Sequence, residues 1–344
     1  MKAMWLAGSA LAVLAMPMMS PAEAQTTPKE SQRASTVASR PDLEGFWDNR
    51  SITDLERPRG VAKLVVSEAE AAALVRRNPL IILTEQERKS VGEDPNNTDL
   101  LKDKNADRGY NTFWIDPGTR LADVKGELRT SWIVEPSDGR IPYKTGVTTG
   151  GTGLSPVNFD GPETRPLAER CLYMYTAGPV MRNVMYNNTM QVVQAPDAVI
   201  ILLEMIHQVR IIPIGGKHGP SDIPKWGGDS IGWYEGDTLV VETVNAHPQQ
   251  RSLISPEGKL TERFRRWSDT QILYEFTVDD PTRYTQVWRG EMAINRSAQP
   301  PYEFACHEGN YAMAGILGGA RELESKGITP ALGPGIAAGL DVIE

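Results

Sequence analysis

Imidazole gains and loses a proton near working pH, so the four histidines are the first place to look for chemistry. His218 and His247 each stand beside Gly or Pro in loop-like sequence and are set aside. His207 follows Glu204 by three residues inside the apolar run Val199–Ile212. Read as one pleated strand, that run puts His207 on a face with Leu203, Met205, Val209 and Ile211. Glu204, Gln208 and Arg210 then share the opposite face. The bland reading is a core histidine with a Glu–Arg pair. The functional reading makes His207 a general base in an apolar cavity, where desolvation keeps the ring neutral.

The preferred candidate lies in Cys306-His307-Glu308-Gly309-Asn310-Tyr311, where an extended segment gives way to a helix. Free backbone N–H groups at such a junction stabilise an anion or a developing oxyanion. His207 is the expected base, oriented by Glu204 or Glu308, with His307 or Tyr311 as the acid. Glu204 can reach His207 only across a bulge. The alternative reading of the junction is a helix cap fastened by a disulfide. A metal is the competing idea, since His207, His307, Glu204 and Glu308 supply N and O donors. No HExxH or paired CxxC spacing supports it, and no cofactor is assigned. Gly228-Asp229-Ser230-Ile231-Gly232 matches a nucleophile-elbow string, but a hairpin follows where that motif needs a helix. No Walker or Rossmann fingerprint is present.

These groups must be carried by an exported chain. Lys2, an apolar run to Met19 and Ala22-Glu23-Ala24 read as a cleaved signal over residues 1–24. Residues 25–40 are a polar, flexible lead, 41–324 a single β-rich domain, and 325–344 a loosely packed tail. Cys171 and Cys306 are the only cysteines, and an oxidising compartment invites one disulfide between them. A net charge of −8 argues against nucleic-acid partners, and no other stretch is long enough to span a bilayer. With 25 Pro and 31 Gly among 344 residues, an all-helical bundle is hard to build.

The elements follow from periodicity. Ser67 caps a helix over Glu68 to Arg77, and Thr84 with Glu87 has capping-box spacing for a second over Thr84 to Val91. Gly178-Pro179 opens a short helix through Met181 and Met185. Asn96 to Asp107 and Tyr143 to Phe159 read as loops. Strand-like segments run at 129–134, 190–194, 199–212, 230–234, 238–245, 260–267, 272–278 and 283–294, several joined by tight turns. In one of them Ile272, Tyr274, Phe276 and Val278 share a face. A closing helix covers about 310–324. The fold class is therefore α+β, mainly antiparallel β, with a curved sheet or barrel and a few peripheral helices.

The chain also resembles a family of exported bacterial proteins from proteobacteria and acidobacteria. The matching blocks include Asp42 to Trp47, Leu55 to Pro58, Tyr110 to Trp114, Ser131 to Arg140 and Tyr186-Asn187-Asn188. They continue with Glu204 to His207, Arg210 to Pro213, Gly228 to Ser230, Trp233 to Thr243, Tyr274 to Pro281 and Ala305 to Tyr311. Coverage runs from about residue 41 to 324. Trp132 departs from the small or aliphatic residue expected there. No activity is established for the family as a whole, so the resemblance implies export and fold and transfers no reaction. Gly45-Phe46-Trp47 and the Trp233–Leu239 hairpin are also lipocalin-like.

The leading functional expectation is a periplasmic or secreted lyase or isomerase acting by acid–base chemistry on an apolar or aromatic small molecule. Trp47, Trp114, Met181, Met185, Tyr186, Arg210 and Trp233 are the residues expected around the ligand. The alternative is a non-catalytic binding protein whose tryptophans line a hydrophobic cup. A structural envelope component is the third.

Overall fold

Alternation of inward and outward residues dominates the second half of the chain, and it builds a barrel. The computed structural model describes residues 40–82, 84–85, 116–147, 157–174, 178–184 and 186–330. The expected signal, nearly all of the lead, the loop at 96–107, the tail beyond 330, and Trp114 and Met185 lie outside the described residues. The strands are β1 (Gly45–Asp48), β2 (Val65–Val66), β3 (Asp123–Val124), β4 (Glu127–Arg129), β5 (Ile133–Glu135), β6 (Thr189–Gln194) and β7 (Ala198–Leu203). They continue as β8 (Val209–Pro213), β9 (Asp229–Glu235), β10 (Thr238–Val244), β11 (Lys259–Ser268), β12 (Gln271–Asp279) and β13 (Trp288–Arg296). Among the described residues the strands are accompanied by α1 (Glu68–Val75) and α2 (Tyr311–Ser325).

Nine strands follow the order β8-β7-β6-β1-β13-β12-β11-β10-β9, with β5 also pairing β13. The two end strands meet where Ile214 bridges Gly232 and Gly215 N donates to Gly232 O at 2.8 Å, so the sheet is nearly closed. A side chain at Gly232 would collide with Ile212 and Ile214, which is why this approach needs glycine. The expected antiparallel, lipocalin-like barrel is the observed architecture. A separate small sheet, β2-β4-β3, lies beside α1, whose Ser67–Glu70 capping box is formed.

The interior is solid. Leu239, Phe264, Tyr274 and Met292 form one buried row across β10 to β13, and Val241, Glu262, Phe276 and Gly290 form the next. Met190, Val192, Leu203, Ile201 and Ile212 close the row from β6 to β8. The cavity among Met181, Met190, Val192, Ile201, Phe264 and Ile272 measures about 10 Å³, room for about one water.

One charged pair is built into this interior. Arg210 Nη1 and Nη2 donate to Glu262 Oε1 and Oε2 at 3.0 and 2.5 Å, and Tyr274 Oη donates to Glu262 Oε1 at 2.6 Å. Glu262 is 0% exposed and Arg210 6%. Burial works to strip the Arg210 proton, but the facing carboxylate more than offsets it and the guanidinium pKa is raised. Burial, then Glu262, raises the Tyr274 phenol well above its ordinary range. Arg210 is thus consumed inside the barrel, whereas the sequence placed it at a ligand.

Five expected elements change, the first being the segment expected over 283–294, whose strand begins only at Trp288. The run Val199–Ile212 is a hairpin, not one strand, because it folds back between Leu203 and Val209. Arg129–Val134 divides between β4 and β5, which pair in different sheets, and Trp132 between them is buried with Nε1 donating to Asn183 Oδ1 at 2.7 Å. Thr84 is no cap: its hydroxyl donates to Leu80 O at 2.8 Å within a helical stretch opened by Asn78, whose side chain accepts from Leu80 N, while residues 86–91 of the expected helix lie outside the described residues. Residues 178–184 are not helical, since side chains take their backbone N–H groups. Met181 N bonds Tyr274 Oη at 3.4 Å, and Val184 N bonds Asn188 Oδ1 at 2.7 Å. By contrast, β6 and β9 to β12 fall where the alternation put them, and α2 does as well.

Cys171 and Cys306 form the expected disulfide, with Cα atoms 5.7 Å apart. Such a bond fits an oxidising compartment. No helix among the described residues is long and apolar enough to cross a membrane.

Candidate functional site

The turn between β7 and β8 carries the first histidine. Met205–His207 forms a single 3₁₀ turn in which Ile206 and His207 have φ of 56° and 42°. Two successive left-handed residues, one β-branched, are costly, and such strain gathers at functional sites. The turn holds because Met205 and Ile206 are buried in the core and because Leu203 N and Glu204 N donate to Gln208 O and Thr189 O, each at 2.9 Å. His207 is thereby pushed out to solvent rather than into the apolar cavity expected for it.

What orients His207 is a backbone carbonyl. His207 Nδ1 lies 2.8 Å from Phe304 O, and a carbonyl only accepts, so the proton sits on Nδ1. In the neutral ring Nε2 then presents its lone pair. Phe304 O also accepts from Cys306 N at 2.9 Å, and Cys306 is bonded to Cys171. His307 follows directly. Its ring centroid is 6.5 Å from that of His207, with the planes at 49°. Asn310 secures the far side of this turn: Nδ2 donates to Glu169 O at 2.8 Å, and Oδ1 accepts from Met313 N to cap α2. The disulfide-fastened helix cap and the histidine pair are one structure.

The carboxylates do not play their expected part. Glu204 is 5% exposed, and its Oε1 accepts from Asn187 Nδ2 at 2.8 Å, away from the imidazole. Glu308 and Tyr311 are exposed on the turn into α2. Among the described residues neither hydrogen-bonds His207 or His307. The orienting role passes to Phe304, which no side-chain pattern marks, because any residue supplies a carbonyl.

Nor, among the described residues, do Trp47 and Trp233 line a cup. Trp47 is fully buried, its indole between the guanidinium groups of Arg266 and Arg296 at 4.9 and 4.8 Å and its Nε1 donating to Leu43 O. Trp233 alternates with the inward Gly232 and bonds Glu235 on the outer face of β9. Met181 belongs to the core, and Tyr186 is half-buried, with burial raising its phenol pKa.

His218 gains partners that its loop sequence conceals. Its Nδ1 lies 3.2 Å from Asp229 Oδ2 and its Nε2 3.2 Å from Glu242 Oε1. Burial pushes Asp229 up, but Lys225, the Gly219 N–H and His218 hold it below the usual carboxylate range. The two carboxylates face opposite ring nitrogens, so they do not converge on a point. Among the described residues no group of three or more His, Cys, Asp or Glu could hold a metal ion. His247 stacks on Trp226 at 3.8 Å, and burial lowers its pKa.

No family model, curated protein or solved structure matches the chain.

Proposed function

We propose that this protein is an exported enzyme acting without an organic cofactor, by acid–base chemistry, on an apolar or aromatic small molecule. The observation that carries the reading is the pinned imidazole. His207 Nδ1–H is held by Phe304 O, so Nε2 is the base, and the second imidazole stands 6.5 Å away by centroid. His207 Nε2 takes a proton from a substrate carbon. His307 gives a proton to the leaving group in an elimination, or to the distal carbon in an isomerisation. Each cycle leaves one histidine protonated and the other neutral, and proton exchange through water resets them. Exposure of both rings gives substrate and water direct access. Positioned acid–base groups supply about 10²–10⁴ in rate.

Ring opening of 5-nitrobenzisoxazole tests the base, since the reaction begins with loss of a carbon-bound proton and releases a coloured phenolate. His207→Ala is expected to slow it by about 10²-fold or more. A rate equal to that of the unaltered protein counts against the assignment. Export is checked separately by the mature N-terminus, expected at Gln25.

A further inference from the structure

The disulfide is fastened to the turn that bears His307 and orients His207. Cys306 N donates to Phe304 O, the same oxygen that holds His207 Nδ1, and His307 follows Cys306 directly. No residue from Tyr302 to Asn310 is buried, and α2 beyond it buries only Ala320. Phe304 and Cys306 rest half-buried against the core. Further hydrogen bonds of this segment run to the loop that carries Cys171. Asn310 donates to Glu169 O, and Arg321 donates to Phe159 O and Asp160 O at 2.8 and 2.6 Å. Neither cysteine lies in a barrel strand. Segments with so little buried surface open locally, at far lower cost than the whole fold. The covalent bond is therefore the strongest restraint keeping Phe304 O and His307 beside His207.

We infer that Cys171–Cys306 is a redox switch on this site: a dithiol that reduces the bond releases the turn and turns the base off, and reoxidation restores it. This rests on the acid–base reading. A thiolate of the reductant attacks Cys306 Sγ, the more exposed partner, and Cys171 leaves as a thiolate that takes a proton from water. The reductant's second thiolate then displaces Cys306. The dithiol thus gives up two electrons and closes its own disulfide, while the protein gains two electrons and two protons. Freed of Phe304 O, the His207 ring loses the acceptor that sets its proton on Nδ1, and Nε2 is no longer kept as the base. His307 moves off with Cys306. The barrel ladder, which neither cysteine joins, stays.

The test compares the oxidised mature protein with the same protein reduced by dithiothreitol without denaturant and desalted free of oxygen. Thiol titration, far-UV circular dichroism, 5-nitrobenzisoxazole ring opening and imidazole nitrogen NMR shifts are read on both. Reduction should expose both thiols, leave the β spectrum unchanged and abolish the fixed Nδ1–H tautomer of His207. Ring opening should slow by about tenfold or more, part of what a positioned base supplies. Oxidised dithiothreitol should restore rate and tautomer. The variant with Cys171→Ser and Cys306→Ser should match the reduced form and respond to neither reagent. A bond that resists dithiothreitol in the folded protein, a barrel that unfolds on reduction, or an unchanged tautomer each overturns the switch. If His207→Ala slows ring opening and reduction does not, the acid–base reading stands and only the switch falls. If His207→Ala leaves ring opening unaltered, the acid–base reading fails, and the nitrogen shifts still decide whether the disulfide sets the ring.

Discussion

Arg210→Met is the sharpest test of the barrel interior. The substitution removes two N–H donors, at 3.0 and 2.5 Å, from a carboxylate that is 0% exposed. Glu262 keeps only the Tyr274 hydroxyl at 2.6 Å. Breaking a buried pair from one side costs about 3–5 kcal/mol, because the surviving charge is left without compensation. Domains of ordinary stability hold about 5–15 kcal/mol, so the loss should move the urea midpoint far. Adding Glu262→Leu removes that orphaned charge. Tyr274 then loses its acceptor but still receives Met181 N, a penalty of about 1–3 kcal/mol. The double variant is therefore expected to be more stable than Arg210→Met alone, a coupling that urea unfolding of all four proteins measures directly. A single-variant loss below about 1 kcal/mol would refute the reasoning, and so would costs that simply add.

Other consequences are testable with the same preparations. Replacing both Cys171 and Cys306 by Ser opens a 135-residue loop and should cost about 2–5 kcal/mol, seen as a fall in urea midpoint absent when both proteins are reduced. Gly290→Ala would drive a methyl into the buried Phe276 ring, for a loss of about 1–3 kcal/mol; an unchanged midpoint would contradict the inward row Glu262–Phe276–Gly290. Burial raises the phenols of Tyr173, Tyr274 and Tyr284 above their ordinary value. Unfolded tyrosines ionise near pH 10, so this stabilisation is whole below about pH 10 and is lost as pH rises through the native values. Phenolate absorbance should show those three ionising only as the fold melts, and their ionisation in the intact protein would be a failure.

Strands with one wet face were legible because alternation of period two is written locally. Ile272, Tyr274, Phe276 and Val278 face inward, as spaced, while Glu275 and Thr277 stay half-buried. The hairpin at Glu204–Gln208 was not, because apolar residues run through the turn as well: Met205 and Ile206 are buried there as in a strand. A face assignment made across that break put His207 inside, where it is exposed, and set Arg210 with Glu204, whereas Arg210 pairs with Glu262. Long-range partners have no local signature. Glu262 lies 52 residues from Arg210, and Phe304 lies 97 from His207. The pairing of Cys171 with Cys306 was readable because two cysteines allow only one bond.

The central claim is that His207 and His307 act as one acid–base unit. Its most direct test is a double-mutant cycle on dehydration of 4-hydroxy-4-phenylbutan-2-one, which loses a carbon-bound proton and whose hydroxyl leaves only when protonated, with His207→Ala, His307→Ala and the double variant, all confirmed as folded. Groups that act as a unit are strongly non-additive. Each single change should therefore cost nearly as much as both together, about 10²-fold or more. Full activity in both single variants, or losses that multiply independently, would contradict the account.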